Sequence, residues 1–143
     1  MSRTKIELPP DFTFTASFAV RITDINYGNH VGNDSILSLL HEARMQFLQH
    51  HGFSEMNFAG VGMIMRDVVI EFKKEIFYGD QLLIGVAAGG FTNVAFDLYY
   101  RVEKKSEGKA VLLVAARTGM VCYDYSRNKI IAVPDAAKIA LAK

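Results

Sequence analysis

The hydrophobic period of this chain changes once, and early. Phe12, Phe14, Ala16, Phe18, Val20 and Ile22 alternate with Thr13, Thr15, Ser17, Ala19 and Arg21, the two-residue period of a half-buried strand. From Ile36 onward the period is helical, with Ile36, Leu40, Ala43 and Phe47 on one stripe. Asn33 or Asp34 is placed to cap this helix, which is predicted to run to about His50 and to stop at Gly52. Between the two patterns lies Asp24-Ile25-Asn26-Tyr27-Gly28-Asn29-His30-Val31-Gly32-Asn33-Asp34. A strand-to-helix junction crowded with Asn, Asp, Gly and His can aim side chains and the unpaired N–H groups of a helix start at a carbonyl or an anion.

After a connection over residues 53–60, most of the remaining chain reads as strand. Residues 61–72 form one candidate, with Val68, Ile70 and Phe72 on a shared face, and Tyr78-Gly79-Asp80 is a turn. Residues 81–88 and 94–104 are the next two strands, separated by Gly89-Gly90. Ser106-Glu107-Gly108 turns into a long apolar strand over residues 109–125. Pro134 opens a short terminal helix with Asp135 in its first turn and Lys143 at its end. One strand, one long helix and then four antiparallel strands predict an α+β fold. With no repeat, low-complexity tract or linker, the 143 residues are expected to form a single domain, long enough to bury a core.

Composition narrows the function. The 16 basic and 15 acidic residues nearly cancel, so no electrostatic footprint for nucleic acid is expected. Half the chain is hydrophobic, yet no apolar run reaches the roughly 18–20 residues of a membrane helix. The opening residues lack the apolar region of a signal peptide, and a lone Cys122 forms no internal disulfide, which together point to the cytoplasm. Cys122 sits in an apolar strand pattern, the setting of an inert buried thiol.

Several familiar site types are absent. His41-Glu42 is not a metal motif, because Met45 stands where a second histidine is needed, and no metal is expected. His50-His51 adjoins the helix end, where its rings are expected on the terminal carbonyls. Gly60-Val61-Gly62 lacks the third glycine of a dinucleotide loop, and neither a phosphate loop nor a Gly-x-Ser-x-Gly elbow occurs. Arg66 shares strand parity with Val68 and Ile70, so it needs either a partner on the substrate side or a bulge that turns it outward.

The loop and the helix together resemble the hotdog-fold thioesterases, specifically the 4-hydroxybenzoyl-CoA and acyl-CoA thioesterase branch. That family runs Arg-x-x-Asp-x-Asp-x-x-Gly-His-Val-Asn-Asn and then a helix with Glu-Ala-Arg. Here Arg21-Ile22-Thr23-Asp24-Ile25-Asn26 precedes Asn29-His30-Val31-Gly32-Asn33, and the helix carries Glu42-Ala43-Arg44. Phe77-Tyr78-Gly79-Asp80 matches the family turn before its third strand. The resemblance implies a long helix wrapped by a curved antiparallel sheet. It also implies pairing into a homodimer or homotetramer with sites at the interface, and an acyl-CoA or acyl-carrier-protein thioester as substrate. Coenzyme A then enters as part of the substrate and not as a cofactor.

The resemblance also assigns residues. The backbone N–H that polarises the thioester carbonyl falls at Asn33. The position of the family's catalytic aspartate, the second in Asp-x-Asp, is Asn26, whose amide cannot act as a carboxylate base but can hold water or thioester by hydrogen bonding. His30 becomes the first candidate to take a proton from water, its alternative being a loop histidine that holds the turn. Asp34 is the second, its alternative being the helix cap. Asp24 stabilises the loop or meets substrate. Glu42 lies nearly opposite the apolar stripe, either solvated or reaching substrate across an interface. Two further readings compete with hydrolysis: a hydratase or dehydratase built on His30 and Glu42, and a non-catalytic acyl-thioester binding protein.

Overall fold

The computed structural model describes residues 5–142. Residues 1–4 of the N-terminal segment and Lys143, the expected end of the terminal helix, lie outside the described residues. Strand β1 (Phe14–Ala19) leads through a 3-10 turn (Ile22–Asp24) to helix α1 (Asn33–His50). Strands β2 (Gly62–Phe72), β3 (Gln81–Gly89), β4 (Ala95–Ser106), β5 (Lys109–Asp124) and β6 (Lys129–Ile130) follow, and helix α2 (Asp135–Leu141) ends the chain. The sheet is antiparallel throughout, in the order β1-β3-β4-β5-β2, with β6 on β5.

The early change of period places α1 across the sheet. Its buried side chains, Ile36, Leu39, Leu40, Ala43, Phe47 and Leu48, pack over a sheet face that carries Leu82, Ile84 and Val86 of β3 and Phe96, Leu98 and Tyr100 of β4. Each leucine, isoleucine, valine or phenylalanine among them contributes about 1.5–3 kcal/mol through the apolar area it removes from water. This is the hotdog arrangement that the resemblance implied.

Four local expectations need correction. The strand pattern of residues 12–22 ends early, because Ile22 enters the 3-10 turn and stays exposed. The residue capping α1 is Gly32, and neither Asn33 nor Asp34 makes a side-chain cap, since both already lie within the helix. The two-residue β6 was not expected; it is too short to show a period. The His50 and His51 rings do not contact helix carbonyls: they pack on Phe14 (5.2 Å) and Phe47 (4.8 Å), while the His51 backbone N–H meets the carbonyls.

At Arg66 the outward bulge is what the fold contains. Met65 pairs with Met120 and Asp67 with Gly119, so Arg66 has no cross-strand partner and its side chain is exposed. The extra residue resets parity, which lets Met63 and Val68 both face the helix side.

Cys122 is fully buried, and desolvation pushes its thiol up to about 11. It should therefore resist a disulfide reagent at pH 8 in the native protein and react only on unfolding. Rapid labelling without denaturant, followed by absorbance, would contradict that burial.

Candidate active site

The loop between β1 and α1 is a small closed structure. Asp24 is buried and accepts from the Arg21 backbone N–H at 2.9 Å and from its guanidinium at 3.5 Å, which anchors the loop entry. A bridge joins Ile25 to Val31, and Asn26 N–H donates to the His30 carbonyl at 3.0 Å. The Asn26 side-chain oxygen accepts from Gly28 N–H at 2.8 Å, an Asx turn. Asn29 adopts a left-handed backbone, φ 67°, a conformation that asparagine tolerates better than most residues other than glycine. Finally, Val31 N–H donates to the Ile76 carbonyl at 2.8 Å, tying the loop to the β2–β3 connection.

That last bond forms one wall of a cleft of about 230 Å³, lined by His30, Val31, Asn33 and Ile36 on one side and by residues 72–76 and Val114 on the other. His30 is half-buried, with Nδ1 3.2 Å from the Val31 carbonyl. A proton on Nδ1 satisfies that contact and leaves the Nε2 lone pair free to accept one. At the start of α1 the first helical bonds run from Ser35 and Ile36 to the Gly32 carbonyl, at 3.1 and 3.2 Å. Among the described residues, the N–H groups of Asn33 and Asp34 therefore have no acceptor. Here the positive end of an 18-residue helix and free donors meet a cleft that holds a histidine.

Gly32 makes the approach possible. A Cβ on it would stand 2.8 Å from an Asp34 carboxylate oxygen and 3.3 Å from the Asn26 amide nitrogen, so both side chains converge over this residue. Asn26, His30, Asn33 and Asp34 are thus neighbours, with Asn26 and Asp34 on the exposed rim. Glu42 and Arg66 are not among them. Glu42 is exposed on the side of α1 facing β1, lines a separate cleft with Phe18 and Arg21, and accepts from Gln46 at 2.7 Å. One acidic group was missed: Glu75 lines the cleft with His30. It reads as part of an ordinary charged run, and only the Val31–Ile76 bond brings it here. No cluster of three metal-ligating side chains occurs among the described residues.

The sequence matches the thioesterase-like superfamily over residues 20–141. The chain belongs to that superfamily. No curated protein gave a significant match. Among solved structures, a 1,4-dihydroxy-2-naphthoyl-CoA thioesterase from Synechocystis is 22% identical, covering 91% of this chain and 96% of that one, with a TM-score of 0.80. A thioesterase superfamily protein from Jannaschia is 15% identical over 94% of this chain and 84% of that one, with a TM-score of 0.82. A mutant 4-hydroxybenzoyl CoA thioesterase complexed with 4-hydroxybenzoyl CoA is 18% identical over 90% and 97%, with a TM-score of 0.81. These likenesses establish the shared fold, and none of the described helices is long and apolar enough to cross a membrane.

Proposed function

We propose that this superfamily member hydrolyses acyl-CoA or acyl-carrier thioesters. The observation that carries the reading is the pair of unpaired helix-start N–H groups beside a cleft lined by His30 and Asn33. The thioester oxygen sits on the Asn33 N–H, which stabilises the charge that develops there. Nε2 of His30 takes a proton from water as the water oxygen attacks the carbonyl carbon. The carbon–sulfur bond then breaks, the sulfur leaves as the thiol with that proton, and the carboxylic acid so formed gives the second water proton to solvent and departs as the carboxylate. The chain's own groups carry this route, and coenzyme A enters with the substrate.

An acyl-CoA panel with thiol release followed directly tests the proposal. Release supports it; saturable binding without turnover favours a carrier role, which the amide at Asn26 makes a concrete second reading. The hydratase alternative needs His30 and Glu42 together, and within one protomer they line different clefts.

Asn26 sharpens the test. An aspartate there can keep the Asx turn to Gly28, so Asn26→Asp adds a carboxylate with little change in shape. If Asn26 marks a weakened site, thiol release should rise. If His30 carries the reaction, a nearby anion that perturbs it should leave the rate level or lower it. A rise would therefore remove His30 from the centre of the mechanism.

We also propose pairing of two copies. β2 is an edge strand, and Met65 and Phe72 are exposed large apolar side chains on it. Light scattering at working concentration should give a dimer or tetramer mass, and a stable monomer would refute the pairing.

A further inference from the structure

On its helix side the sheet runs on past the start of α1 as the β4–β5 hairpin. Val102 and Val114 pair there and belong to the core. Farther out, Lys104 pairs with Val111 and Ser106 with Lys109. The two-residue alternation of β4 keeps Lys104 and Ser106 on the face of Val102. Together with Lys74 and Phe77 of the β2–β3 connection, Lys104, Ser106 and Val111 line a groove of about 430 Å³. It adjoins the cleft at His30, because Lys74 and Glu75 line both.

The groove offers cations and a ring. Among the described residues Lys74 and Lys109 have no acidic partner, and both are exposed. Lys104 Nζ lies 3.3 Å from Asp80 and 5.9 Å from the centre of the Phe77 ring. Asp80 also accepts from the Phe77 backbone N–H at 2.9 Å, so its carboxylate is committed within its own turn. The other acids nearby are Glu75, at the junction with the first cleft, and Glu107, in the hairpin turn. Phe77 is 44% exposed, which leaves ring surface for a base to stack on. Three ammonium groups beside such a ring suit a ligand that joins phosphates to a heteroaromatic base.

The length of the groove fits as well. Val114 stands in the wall of the His30 cleft, opposite Val102. Ser106 and Lys109 lie four β4 residues beyond that pair, about 14 Å at the usual strand rise. The pantetheine arm of coenzyme A, from its sulfur to its diphosphate, extends to about 16 Å at ordinary bond lengths. A thioester held at Asn33 can therefore bring its phosphates among Lys74, Lys104 and Lys109.

We infer that this groove seats the nucleotide end of coenzyme A, so that the substrate is a free CoA thioester and not one carried on a protein. The inference rests on the proposed thioester chemistry for its orientation. Titration calorimetry with CoA, pantetheine and adenosine 3′,5′-bisphosphate reads the groove without turnover. CoA should bind about 10-fold or more tightly than pantetheine, and adenosine 3′,5′-bisphosphate should compete with it. Lys109→Glu and Phe77→Ala, both at exposed positions, should each cut that advantage about threefold or more. Lys129→Glu makes the same charge change at the other end of β5 and should leave the advantage intact. For an acyl group that is hydrolysed, the preference for the CoA over the pantetheine thioester should recur in kcat/KM, carried by KM. Absence of turnover with the CoA preference retained would sink the hydrolase reading alone. The groove's assignment would be overturned by equal affinity for CoA and pantetheine, or by an advantage untouched in Lys109→Glu and Phe77→Ala. An equal loss in Lys129→Glu, or a lower KM for a thioester on an acyl carrier protein than on CoA, would overturn it too.

Discussion

Replacing His30 by alanine should lower turnover of a responsive acyl-CoA by about 10²–10⁴-fold, the usual contribution of a positioned general base. The side chain is half-buried and bonds only the adjacent Val31 carbonyl, whereas the loop is held by Asp24, the Asn26 turn and the Val31–Ile76 bond. The fold should therefore survive, and circular dichroism on the same sample checks that. A pure loss of proton transfer lowers kcat with little change in KM. Near-wild-type turnover in His30→Ala would move the base to Asp34 on the rim or Glu75 on the facing wall, which Asp34→Asn and Glu75→Gln tell apart.

Arg44→Met should destabilise the protein by about 3 kcal/mol, in the range measured when one partner of a buried pair is removed. The change strands the Glu55 carboxylate and strips the Tyr100 hydroxyl of a donor inside the core. Glu55 retains His41 at 2.8 Å and some solvent contact, which keeps the loss at the lower end. Tyr100→Phe deletes only the middle of the chain of bonds and should cost about 1 kcal/mol. Adding Glu55→Gln to Arg44→Met should recover part of the loss, because it removes the uncompensated charge. Urea melts of these variants together with the single Glu55→Gln measure all of this, and additive losses in Arg44→Met and Glu55→Gln would show that the two residues do not act as a pair.

How far the sequence determined this protein follows from the range of each interaction. Local periodicity with glycine and turn signals placed the end of α1 near His50 and found the five longer strands, since burial on one face imposes a period of two or 3.6 wherever a segment is long enough to show it. The same local information located the loop from Asp24 to Asp34, whose Asx turn and left-handed Asn29 are short-range events. It failed at the helix cap, where the adjacent residues Gly32, Asn33 and Asp34 all suit a helix start and only the backbone path chooses among them. It left Arg66 open between two orientations, because a bulge is defined by the partner strand and not by the bulged one. Tertiary structure alone decided the rest. Glu75 joins His30 through a bond between residues 31 and 76, and Arg44 meets Tyr100 across 56 residues of chain. Such contacts leave no local pattern, since a polar residue facing a cleft and one facing water look alike until the sheet closes over the helix.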